Sequence, residues 1–133
     1  MRKKESAENK IKREKAKILV VDDDLGIREL LSGILSQEGH IVEVVQDGKE
    51  ALLKVRKESF DLVLSNLRMP RMNGIQLLEE LQKIAPHIRV IVIAGAGDLE
   101  TVTKMRKLGA YDYIGKPFCL NSILHKVKKA LGD

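Results

Sequence analysis

The chain is short of the features that mark the more specialised protein classes. Cys119 is its single cysteine, which excludes an internal disulfide and suits a reducing compartment. Following an apolar phenylalanine, it reads as a small packed residue and not as a nucleophile. The apolar runs are four to six residues long, far below the roughly 18 needed to cross a bilayer. The charged N-terminus lacks the apolar stretch of a secretory signal, so a cytoplasmic protein without membrane insertion is expected. The three histidines, His40, His87 and His125, lack metal-ligand spacing and read as surface residues. Gly95-Ala96-Gly97 lacks the lysine and hydroxyl residue of a phosphate-binding loop and reads instead as a flexible loop at a site. Nothing pairs a nucleophile with a base, so an enzyme with its own substrate is not expected.

Net charge is +5, and its location matters more than its size. Residues 1–17 hold eight Lys/Arg against three Glu, while the other positions hold sixteen of each sign. All the basicity therefore belongs to the leader. A balanced body argues against nucleic-acid binding through the folded domain, which would carry its basic patch on itself. Residues 1–16 contain Ile11 as their only large aliphatic and read as a basic flexible N-terminal arm. Binding of nucleic acid or an anionic surface by this arm is one functional alternative.

From Lys17 onward the pattern is regular. Ile18-Leu19-Val20-Val21 is a continuous aliphatic run ending in Asp22-Asp23-Asp24, as suits a strand buried on both faces. Ile27, Leu30, Leu31, Ile34 and Leu35 follow at helical intervals, and Gly39 ends them. Ile41–Val45 is a less apolar strand, expected at an edge, and Asp47-Gly48 leads into a helix carrying Ala51, Leu52 and Val55. Leu62–Ser65 reads as the third strand, a helix with Ile75, Leu77, Leu78 and Leu81 as the next, and Val90–Ile93 as a central strand. Leu99, Val102, Met105 and Leu108 mark a fourth helix, Ala110–Ile114 a fifth strand and Leu120–Leu131 a fifth helix. Five successive βα units, with no internal repeat or second domain, predict one α/β domain with a parallel sheet and right-handed crossovers.

In such a sheet, chemistry collects at the carboxyl ends of the strands. Those ends supply Asp22 and Asp23, then Asn66, then Ala94 and Gly95, then Lys116. Two acids, an amide and a lysine share one rim. An aspartate at 66 would make three carboxylates, a set that calls for a divalent cation, with a lysine opposite to steady an anion. Ser65 alternates to the face opposite Asn66 and reads as a packing residue.

The stretches ILVVDDD, DLVLSNLRMPRMNG, VIVIAGAGD and GAYDYIGKPF resemble the successive motifs of bacterial response-regulator receiver domains. They look most like receivers of nitrogen-regulatory enhancer-binding activators, with single-domain relay receivers also close. The resemblance spans 17–133 and implies a doubly wound, flavodoxin-like (βα)5 fold with strand order 2-1-3-4-5. It implies that Asp22, Asp23 and the Arg68 carbonyl bind Mg²⁺. Lys116 then pairs with a phosphoryl group ahead of a cis Pro117, and Tyr113 is the aromatic switch; Met69, Pro70 and Gly74 fit the loop. The implied partners are a histidine kinase or other two-component protein and an attached output domain. A homodimer through the face of the fourth helix, fifth strand and fifth helix is a further implication.

Two positions depart from the pattern: Asn66 stands where the phospho-accepting aspartate belongs, and Ala94 where a Thr or Ser belongs. An amide is not the nucleophile that acyl-phosphate formation requires. Losing one of three carboxylates weakens a Mg²⁺ site. The expected function is thus a pseudo-receiver in phosphorelay signalling that acts by protein–protein contact. The main alternative is an inactivated Asp→Asn form of a phosphorylatable regulator of transcription. The simultaneous absence of the hydroxyl at 94 favours the first.

Overall fold

A computed structural model describes residues 16–132, apart from the side chains of Ala96 and Leu99. The arm expected at 1–16 lies outside the described residues except for Ala16. That residue is already part of the body: it is buried, and its carbonyl accepts the Ile41 amide at 2.8 Å.

Five strands alternate with five helices: β1 (Lys17–Val21), α1 (Leu25–Gln37), β2 (Ile41–Val45), α2 (Gly48–Lys57), β3 (Leu62–Asn66), α3 (Gly74–Ile84), β4 (Arg89–Ala94), α4 (Leu99–Lys107), β5 (Asp112–Gly115) and α5 (Leu120–Ala130). A 3₁₀ turn, Ala96–Asp98, leads into α4. All pairings are parallel, in the order β2-β1-β3-β4-β5. The flavodoxin-like fold and the edge position of β2 are as expected. β4 is an interior strand, but the middle of the sheet is β3.

Alternation along the buried strands builds two cores. Leu19, Val21, Val63, Val90 and Val92 pack with Ala51, Leu77, Leu78, Leu81 and Met105 under α2, α3 and α4. Ile18, Val20, Leu62, Leu64, Ile91 and Ile93 pack with Leu31, Leu35, Ile123 and Val127 under α1 and α5. Continuous aliphatic runs are therefore required, because successive side chains enter different cores and both are apolar. Each fully buried side chain of this size contributes about 1.5–3 kcal/mol.

Helix starts follow their polar caps. Asp24 accepts the Ile27 amide, Asp47 the Glu50 amide, and Asn73 forms a reciprocal pair with Gln76. β5 begins at Asp112, two residues later than the apolar pattern suggests. The Gly109 and Ala110 amides instead close the end of α4 on the carbonyls of Arg106 and Met105, with Gly109 at φ +107°.

Cys119 corrects the reading from sequence. It is exposed at the start of α5, with Sγ 3.2 Å from the Ser122 hydroxyl, which draws the thiol pKa down. Phe118, half-buried against the α1/α5 core, takes the packing role. His87 and His125 are exposed as expected, whereas His40 is half-buried and its Nδ1 accepts the Ala16 amide at 3.3 Å.

Candidate functional site

The carboxyl ends of β1, β3, β4 and β5 bring the expected residues to one rim. Asn66 is the last residue of β3, and its register partner on β4 is Ile93, one residue short of Ala94. Its side chain is almost buried and satisfied at both ends. Nδ2 donates to the Arg68 carbonyl at 2.9 Å, and Oδ1 accepts from the Lys116 ammonium at 3.0 Å. That network fixes the amide's orientation. The flipped amide would set an NH₂ against an ammonium and an oxygen against a carbonyl.

Asp22 is buried at the end of β1 while Asp23 is exposed. The Asp22 Oδ1 accepts the Asp24 amide at 2.9 Å, but its Oδ2 is buried without a partner. Burial pushes this carboxyl above the usual range, against the opposing pull of the Asp24 amide and the Lys116 charge. The Asp22 carbonyl is held by Arg28 at 2.7 Å. Asp24, third in the acidic run, caps α1 with its side chain and serves the rim only through its backbone amide on Asp22.

A divalent cation here would be held by Asp22, Asp23 and the Arg68 carbonyl. The orphaned Asp22 Oδ2 is the kind of oxygen such an ion completes, but the Arg68 carbonyl is already engaged by the Asn66 amide. Among the described residues no group of three or more His, Cys, Asp or Glu side chains is gathered to hold a metal. The donor set suits Mg²⁺ only in part, with two charged oxygens where a hard cation favours more.

Ala94 is buried, and its carbonyl accepts the Lys116 amide at 2.8 Å, which sets the base of the Lys116 side chain beside Asn66. The Lys116–Pro117 peptide is cis. Tyr113 is half-buried on β5. The Lys126 ammonium lies 4.9 Å and the Arg106 guanidinium 5.7 Å from its ring centroid, and Asp112 pairs with both cations. Ser65 is fully buried with its hydroxyl donating to the Asn66 carbonyl, in keeping with a packing role.

Three participants escaped the sequence reading. Asp98 is buried in the loop after β4; its Oδ1 pairs with Arg68 and its Oδ2 accepts the Gly95 amide at 3.1 Å. The Arg68 side chain, beyond its carbonyl, thereby crosses from one loop to the next. Arg71, at φ +66°, pairs with buried Asp47 and pins the β3–α3 loop to the start of α2. The acid in AGAGD and the arginines of NLRMPR were visible signals, but long-range pairing between loops has no local periodicity.

A family model described as "Response regulator receiver domain" matches residues 18–128. Sporulation initiation phosphotransferase F of Bacillus subtilis is 40% identical over 115 residues, covering 86% of this chain and 93% of that protein. Transcriptional regulatory protein ZraR of Escherichia coli is 38% identical over 114 residues, covering 86% of this chain. The chain spans only 26% of ZraR's length. The crystal structure of the receiver domain of NtrX from Brucella abortus superimposes with a TM-score of 0.82 at 38% identity, covering 86% of this chain and 97% of that one. No helix among the described residues is long and apolar enough to cross a membrane.

Proposed function

The chain belongs to the response regulator receiver domain family, and we propose that it is a receiver that forms no aspartyl phosphate and signals through protein contact alone. The observation that carries this reading is the Asn66 side chain. Where a nucleophilic carboxylate would stand, an amide bonded to the Arg68 carbonyl and the Lys116 ammonium closes the site in a neutral form. Neither amide atom has the free, charged lone pairs needed to attack phosphorus. Ala94 offers no hydroxyl to hold a transferred group. In this reading Asp22 and Asp23 retain a weak affinity for Mg²⁺, and no residue of the chain is catalytic.

A partner histidine kinase, another two-component protein or an attached output domain would read the surface directly. The face of α4, β5 and α5, where Arg106 and Lys126 flank Tyr113, is the surface proposed for that contact or for self-association. The test is incubation with Mg²⁺ and acetyl phosphate, followed by intact-mass spectrometry and nuclear magnetic resonance of Tyr113. The expected result is no covalent phosphoryl adduct and no shift at Tyr113. A stoichiometric, base-labile phosphoryl adduct on the unmodified chain would overturn the proposal. The alternative, an inactivated phosphorylatable switch, expects Asn66→Asp alone to restore Mg²⁺-dependent phosphorylation despite Ala94, and failure to do so would count against that alternative.

A further inference from the structure

The polar contacts of the rim form a closed circuit. From Asn66, the amide nitrogen reaches the Arg68 carbonyl. The Arg68 guanidinium reaches Asp98, and Asp98 holds the Gly95 amide. Gly95 is bonded to Ala94, whose carbonyl accepts the Lys116 amide. The Lys116 ammonium returns to Asn66. The loops after β3, β4 and β5 are thus joined in a ring made of the protein's own groups.

Asp98 is the unexpected member. It stands at the N-cap position of α4, where an aspartate ordinarily accepts an amide of its own helix. It makes no such bond. Its two oxygens are spent instead on Arg68 and on Gly95, at a position only 4% exposed. The loop it secures contains Gly95 and Gly97, residues that lose the most backbone freedom when ordered. A buried carboxylate diverted from its helix to order a glycine-rich loop marks a contact with a purpose beyond helix capping.

We propose that Arg68 and Asp98 are positioning residues that bridge the β3 and β4 loops in place of a phosphoryl group, holding the rim and the start of α4 in one arrangement. This rests on the reading that residue 66 accepts no phosphoryl group. It accounts for how the chain tolerates Ala94: the tether that a hydroxyl and a bound anion would provide between β3 and β4 comes from one ion pair. The surface read by a partner is then set by the sequence and not by a signal.

Hydrogen exchange measured in chelator, with neither Mg²⁺ nor a phosphoryl donor, tests the bridge. Arg68→Gln removes the guanidinium from a side chain that is 79% exposed, so the fold is not at risk. Exchange at Gly95–Asp98 and at Lys116 should rise about tenfold, with the β3 core amides at Leu62–Leu64 unchanged. Arg68→Gln combined with Asp98→Asn should go little further than Arg68→Gln alone, since both remove the same ion pair and the asparagine keeps an oxygen to accept the Gly95 amide. Unchanged exchange at Gly95–Asp98, a rise confined to that loop without Lys116, or an equal rise in the β3 core would each overturn the proposal. Because no donor is present, the outcome is independent of phosphorylation at residue 66, which the acetyl phosphate experiment decides separately.

Discussion

Replacing Asn66 by aspartate should weaken the metal-free domain and make its stability depend on Mg²⁺. The structure sets the sizes. The Arg68 carbonyl loses its amide partner and faces a carboxylate oxygen, an unsatisfied contact costing about 1–3 kcal/mol. A new negative charge near Asp22 adds a penalty on the order of 1 kcal/mol. Against these, the Lys116 bond becomes charge-assisted and gains about 1 kcal/mol. The net loss is about 2 kcal/mol, which lowers Tm by about 6–10 °C for a domain of this size. Saturating Mg²⁺, at about a hundred times its Kd, then returns about 2.7 kcal/mol by mass action. The assay is differential scanning calorimetry of both proteins in chelator and across a Mg²⁺ titration. The unmodified chain should shift far less with Mg²⁺ than Asn66→Asp. An Asn66→Asp protein that melts in chelator at or above the parent temperature would refute the reasoning.

Other perturbations separate the roles of nearby residues. A Cβ on Gly74 would stand 2.8 Å from the Asn66 carbonyl oxygen and 3.0 Å from the Leu67 Cα, so Gly74→Ala should cost about 1–3 kcal/mol in urea unfolding. Gly33→Ala, inside α1 with nothing within 4 Å of the new methyl, should gain about 0.5–1 kcal/mol. Asp22→Asn removes a carboxyl whose folded pKa is raised by burial. The native state disfavours ionised Asp22, so the variant should be the more stable at pH 7 in chelator, with the advantage fading as the pH falls through the carboxylate range. Asp47 behaves oppositely: burial alone would raise its pKa, but the Glu50 amide and the Arg71 guanidinium bring it below the usual range. Its contribution is complete above the ordinary carboxylate pKa and lost as the pH falls through the depressed one. Urea unfolding of Asp47→Ala should therefore show a deficit of about 1–2 kcal/mol at pH 7 that narrows in acid.

Much of the fold was legible because it is written locally. The Ile18–Val21 and Val90–Ile93 runs announce strands covered on both sides. Caps at Asp24, Asp47 and Asn73 mark helix starts, and Gly39 and Gly109 mark helix ends, both at positive φ. The start of β5 was misread because apolar character at Ala110 and Tyr111 does not reveal that the Ala110 amide is spent on α4. Cys119 was misread for a related reason: an apolar neighbour such as Phe118 says nothing about which of the two side chains the helix start turns inward.

The sequence by itself determined the strand ends, and with them the meeting of Asp22, Asp23, Asn66, Ala94 and Lys116, since parallel βα units place every strand's carboxyl end on one rim. It also determined that an amide stands among them at residue 66, and an amide's weak nucleophilicity belongs to the residue and not to its surroundings. Tertiary structure alone decided that Asn66 is satisfied at both ends, that Asp22 keeps one oxygen without a partner, and that Asp98 faces Arg68 across thirty residues. Those outcomes depend on angles and separations between loops that are distant in the chain. No local pattern of apolar and polar residues encodes them.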